Sequence, residues 1–123
     1  MPRRIVIIEN APEIIELYMD LFAQEGYTVV ATFAEPVTDP HVIEHHHPDI
    51  VIMDWLFGDK GTGLRTLELL TTYPPTADIP IIVCTTLRTL NEADSIFAQH
   101  GVRLLHKPFV INDLVALIKE VVV

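Results

Sequence analysis

Five short apolar runs set the terms on which this chain can fold. They are Ile5 to Ile8, Thr28 to Phe33, Ile50 to Met53, Ile81 to Cys84 and Val102 to Leu105. Each has the length of a strand, and segments with helical spacing lie between them. Buried strands that alternate with helices predict an α/β domain on a parallel sheet, because helices then cover both faces. The first helix is expected over Glu13 to Gln24, with Ile14, Leu17 and Leu21 at helical spacing and Gly26 as its stop. Asp39 and Pro40 read as the N-cap and first position of a short helix running to the histidines. Leu64, Leu67 and Leu70 mark a third helix that stops before Pro74 and Pro75. Thr89 with Glu92 reads as a capping box for a fourth, ending at Gly101. Leu114, Leu117, Ile118 and Val121 give the closing helix its core face. No repeat, linker or low-complexity tract interrupts this pattern.

Composition narrows the function classes. The 123 residues suit one domain, spanning 1–123, and the apolar half of the sequence is broken up too finely for a membrane span. MPRRIVII offers only four consecutive apolar residues before Glu9, too few for a signal-peptide core, so the expected location is the cytoplasm. A net charge of -9 argues against direct nucleic-acid binding, which needs a basic patch. Cys84 is the single cysteine and sits in an apolar run, which reads as a buried, inert thiol.

The chemistry gathers at strand ends. Ligands of open parallel sheets bind beyond the carboxyl ends of the strands, near the point where strand order reverses. The first run ends in Glu9 and Asn10, the third in Asp54, the fourth in Thr85 and Thr86, and the fifth in His106, Lys107 and Pro108. Two acids at one rim do not ionise together comfortably unless a cation lies between them, and oxygen donors of this kind suit Mg²⁺. Lys107 pairs with an anion and Thr85 donates a hydrogen bond. Such a set suits a phosphoryl group carried on a carboxylate.

This order of residues resembles the receiver domain of two-component response regulators over essentially the whole chain. The carriers are IVIIEN, PDIVIMD ending at Asp54, IPIIVCT ending at Thr85, and HKPF around Lys107. The resemblance implies a flavodoxin-like, three-layer, doubly wound sheet of five parallel strands in the order 2-1-3-4-5. It implies that Asp54 takes a phosphoryl group from a sensor histidine kinase or phosphotransfer protein, with Mg²⁺ required. Thr85 and Lys107 would contact the phosphoryl oxygens. Glu9, Asn10, Asp54 and the backbone carbonyl of Leu56 would surround the metal, and the peptide bond into Pro108 would be cis.

Three departures from the family pattern carry consequences. Asn10 stands where a second acid is usual, which predicts weaker metal binding, and Asn10-Ala-Pro-Glu13 also reads as an N-cap and capping box. The loop after Asp54 is one residue longer, placing Gly63 late, while Leu56 and Leu87 flank the expected path of water and would slow hydrolysis of the acyl phosphate. Leu104 occupies the switch position where the family carries an aromatic, so an aromatic flip coupled to Thr85 is not the readout.

Other candidates have plainer readings. His45, His46 and His47 are adjacent residues that point in different directions, so they read as a solvated helix end rather than a metal site. Trp55 reads as core and His106 as a histidine packed at the rim. Leu90, Ile96, Phe97 and Val102 supply either a homodimer face or core. The sequence thus points to a phosphoacceptor receiver, a signalling domain rather than an enzyme, which regulates binding to a downstream effector protein. The competing reading is a phosphorylation-independent binding module on the same fold. An aspartyl-phosphate hydrolase is disfavoured, because no second acid stands beside Asp54 to activate water on a substrate ester.

Overall fold

The structure is a computed structural model that describes residues 2–55, 62–85, 98–99, 101–107 and 109–122. Strands β1 (Arg4–Ile8), β2 (Thr28–Phe33), β3 (Ile50–Asp54), β4 (Ile81–Thr85) and β5 (Arg103–His106) form one parallel sheet in the order β2-β1-β3-β4-β5. The helical segments described are α1 (Pro12–Gln24), α2 (His41–Glu44), α3 (Thr62–Thr72), α4 (Pro74–Ala77) and α5 (Ile111–Val121). This is the flavodoxin-like arrangement expected from the strand pattern and the resemblance.

Strand pleat divides the core into two clusters. Ile5, Ile7, Ile50, Ile52, Ile82 and Cys84 face α1 and α5, where Tyr18, Leu21, Phe22, Leu114, Val115 and Ile118 meet them. Val6, Ile8, Val51, Met53, Ile81 and Val83 face the other way and are covered by Val37, Ile43, Leu67 and Leu70. Because β1, β3 and β4 are buried on both sides, their runs are apolar without alternation. In β2 the register slips by one residue opposite Ile5 and Val6, so that Val30 and Ala31 both pack on the second cluster.

Several boundaries differ from the sequence reading. The buried stripe of α1 runs through Tyr18, Leu21 and Phe22 with Ile14 packed beside it, whereas Leu17 is 46% exposed. Tyr18 and Phe22 stack at 5.7 Å within that stripe. Helix α1 has Ala11 as its N-cap with no side-chain cap, so the capping box expected of Asn10 and Glu13 does not form. Its C-terminus closes as a Schellman motif: Tyr27 N–H donates to Phe22 O at 2.8 Å and Gly26, at φ +84, donates to Ala23 O at 3.1 Å. Pro74 and Pro75 end α3 as expected but also open the single turn α4, which was not foreseen. Proline suits the first helical position because its missing N–H would be unpaired there anyway. Val102 is core. Leu90, Ile96 and Phe97, with the capping box at Thr89 and Glu92, lie outside the described residues, while Gly101 takes the left-handed φ of +65 suited to a helix stop.

Candidate functional site

Alternation along the strands decides what meets at the carboxyl edge. Ile52 and Cys84 belong to the α1/α5 cluster, so Asp54, two places beyond Ile52, returns to that side of the sheet. Glu9 follows β1 and Lys107 follows β5 with the same parity. The three charged groups converge: Lys107 Nζ lies 3.3 Å from Glu9 Oε2 and 3.5 Å from Asp54 Oδ1. β1 and β3 are the neighbours at which strand order reverses, so the two acids sit at the switch point of the sheet.

Glu9 is 3% exposed, and both of its oxygens are engaged. Oε1 accepts the Ala11 N–H at 3.2 Å and Oε2 accepts Lys107. The carboxylate therefore serves one of the N–H groups that the uncapped start of α1 leaves over. This is where the extra methylene of glutamate matters, because it lets the side chain fold back toward its own helix. Asn10 is exposed beside it.

Burial alone would depress the Lys107 ammonium, but Asp54 and then Glu9 outweigh it and hold its pKa above the ordinary lysine value. Two carboxylates and one ammonium leave the cluster with one negative charge in excess. The donor set fits a hard divalent cation, since both acids offer oxygen and lie within reach of one ammonium. Lys107 occupies the place between them in this structure.

Thr85 is 1% exposed at the end of β4. Lys107 N–H donates to Thr85 O at 2.7 Å, which ties the end of β5 to that of β4. Cys84 pairs with Asp54 in the strand register and its carbonyl accepts the Trp55 N–H at 3.3 Å. Trp55 is buried in the α2–α4 cluster, as its position next to Asp54 led one to expect. Gly63, in the first turn of α3, passes directly against the Trp55 carbonyl and ring, and any Cβ there would collide with that carbonyl. Leu104 pairs with Val83 and packs, partly buried, on the same cluster. His106 ends β5 exposed rather than packed. Leu56, Thr86, Leu87 and Pro108 lie outside the described residues.

One polar contact under the site was missed from the sequence. The Tyr18 hydroxyl hydrogen-bonds the Cys84 thiol beneath Glu9 and Asp54. Burial, then Cys84 and the two acids, push the Tyr18 phenol far above its ordinary pKa, and burial pushes the Cys84 thiol up to about 11. The thiol is buried, as expected. Tyr18 stands four places after Ile14, which is the spacing that finds it, and the buried stripe runs through Tyr18 rather than Leu17.

Comparison with known proteins agrees with this geometry. The phosphate regulon transcriptional regulatory protein PhoB of Klebsiella pneumoniae is 29% identical over 98% of this chain and 52% of its own length. Protein Rrf1 of Nitratidesulfovibrio vulgaris is 26% identical over 89% of this chain and 75% of its own length. The chain thus spans about half the length of the PhoB relatives it matches. Among solved structures, a chain of the CheX-CheY-BeF3-Mg²⁺ complex from Borrelia burgdorferi superimposes with a TM-score of 0.84 at 17% identity, covering 100% of this chain and 91% of that one. Chemotaxis protein CheY4 of Vibrio cholerae gives 0.81 at 20% identity, covering 98% and 99%. Such domains are signalling modules that accept phosphoryl groups and generally bind Mg²⁺ at the phosphorylation site. They interact with histidine kinases or phosphotransfer proteins and with effectors. The model of the response regulator receiver domain matches residues 5–119, and the chain belongs to that family.

Proposed function

We propose that this chain receives a phosphoryl group on Asp54 from a phosphohistidine and that the modified surface alters its affinity for a partner protein. The observation that carries the reading is the convergence of Lys107 Nζ on Asp54 and Glu9 at the carboxyl edge of the sheet. A carboxylate oxygen of Asp54 attacks phosphorus, the bond from phosphorus to the donor imidazole nitrogen breaks, and an acyl phosphate remains on Asp54. Lys107 moves its charge onto the incoming phosphoryl oxygens, and Thr85 donates a hydrogen bond to another of them. Glu9, Asn10, Asp54 and the Leu56 carbonyl are the groups that would hold Mg²⁺, whose charge offsets that of the phosphoryl oxygens. Asn10 gives an oxygen without charge, so the metal is held weakly. With Leu104 at the switch position, the signal passes through the packing of β4 and β5 on the α2–α4 cluster rather than through an aromatic ring.

The test is intact mass after incubation with acetyl phosphate and Mg²⁺. A gain of one phosphoryl group that disappears in Asp54→Ala supports the reading. No gain at any Mg²⁺ concentration overturns it and leaves the phosphorylation-independent binding module, which Asn10 and Leu104 favour.

A further inference from the structure

Four of the six histidines fall between positions 41 and 47. In the adjacent triplet at its end, the His46 ring packs on Phe33 at 6.1 Å and meets the His45 ring edge-on at 5.4 Å, while His47, at φ +49, turns the chain out of the helix. The carbonyls of both accept the Arg4 guanidinium. His41 and His45 stand differently. His45 N–H donates to His41 O at 2.9 Å, so the two residues are one α-helical turn apart and on the same side of α2.

The His41 ring, 5.0 Å from that of Tyr73, keeps one nitrogen available. His41 Nδ1 lies 2.8 Å from Asp39 Oδ1, and because the carboxylate only accepts, the proton sits on Nδ1 and the lone pair on Nε2. Asp39 is fixed in turn, since the same oxygen accepts the His41 backbone N–H at 3.0 Å, and these bonds hold its carboxyl below the usual range. A carboxylate behind an imidazole is the arrangement that orients metal-binding histidines and raises their basicity. The His41 side chain is 67% exposed and His45 is exposed, so both can be reached from solvent. Among the described residues no group of three or more His, Cys, Asp or Glu is gathered for a metal, so water completes any coordination here.

We propose that His41 and His45, with Asp39 orienting His41, form a two-histidine site for a late first-row divalent cation of the Zn²⁺ class. The juxtaposition differs in ligand chemistry from the acid cluster at Asp54, which offers oxygen rather than imidazole. The site is open and exchangeable.

Calorimetric titration of the full chain with Zn²⁺, in excess Mg²⁺ to occupy the acid cluster, tests it. One equivalent binds in the micromolar range, His41→Ala and His45→Ala each weaken binding more than tenfold, and Asp39→Asn weakens it by about tenfold. His47→Ala binds as the parent does. Far-UV circular dichroism shows each variant folded. Absence of Zn²⁺ binding in the parent, binding unchanged in His41→Ala, or binding abolished by His47→Ala overturns the proposal.

Discussion

The two faces of the sheet are built from the same strands and do different work. On the α1/α5 face the apolar cluster carries a polar column, from Tyr18 and Cys84 up to Glu9, Asp54 and Lys107. On the α2–α4 face Trp55, Val83 and Leu104 pack among aliphatic side chains, and the polar groups buried there are satisfied locally. Thr71 Oγ1, for example, donates to Leu67 O at 2.8 Å and Thr76 Oγ1 to Leu70 O at 2.7 Å. Among the described residues buried charge therefore lies on one side, and a side-chain period of two enforces the division. The lesson is that one face can be tuned electrostatically while the other transmits only by packing.

Loss of apolar volume gives the largest expected effects and tests whether the faces fold as one. Leu67→Ala and Ile118→Ala, one on each face, should each cost about 2 to 5 kcal/mol, read as the shift in urea midpoint. A biphasic transition in either would separate the faces. Next is Gly63→Ala, whose Cβ meets backbone at Trp55. We expect about 1 to 3 kcal/mol of destabilisation, with a shift in Trp55 fluorescence.

Alkaline pH should distinguish the faces. The folded pKa values of Cys84 and Lys107 are raised, so their contribution is complete below the unfolded values and is lost as pH rises through the folded ones. For Cys84 that window runs from about 9 to about 11, and stability should fall across it by on the order of 2 kcal/mol. Cys84→Val should flatten that part of the curve, whereas Thr71→Val on the opposite face should leave its slope unchanged. The smallest effect belongs to the surface: Arg103→Ala removes the 2.7 Å pair with Glu120, both exposed, and should cost less than about 1 kcal/mol in the same denaturation assay.

Much of this was legible because buried parallel strands announce themselves. The runs ending at Glu9, Asp54 and Lys107 fixed both the sheet and its charged rim, since a charged residue closing an apolar run has few places to go but the edge. Local signals that compete with tertiary packing were less readable. Asn10-Ala-Pro-Glu13 has the spacing of a capping box, yet Glu9 reaches the Ala11 N–H instead, while its other oxygen accepts Lys107, distant in sequence. Leu17 had the right spacing for the core but the aromatics beside it won the space.

Trp55 has a practical consequence. It is the chain's one tryptophan, sequestered next to Asp54 and braced by the glycine of α3. The molecule consequently carries its own optical sensor, and events at the neighbouring carboxylate can be followed by emission intensity in solution without attaching a dye.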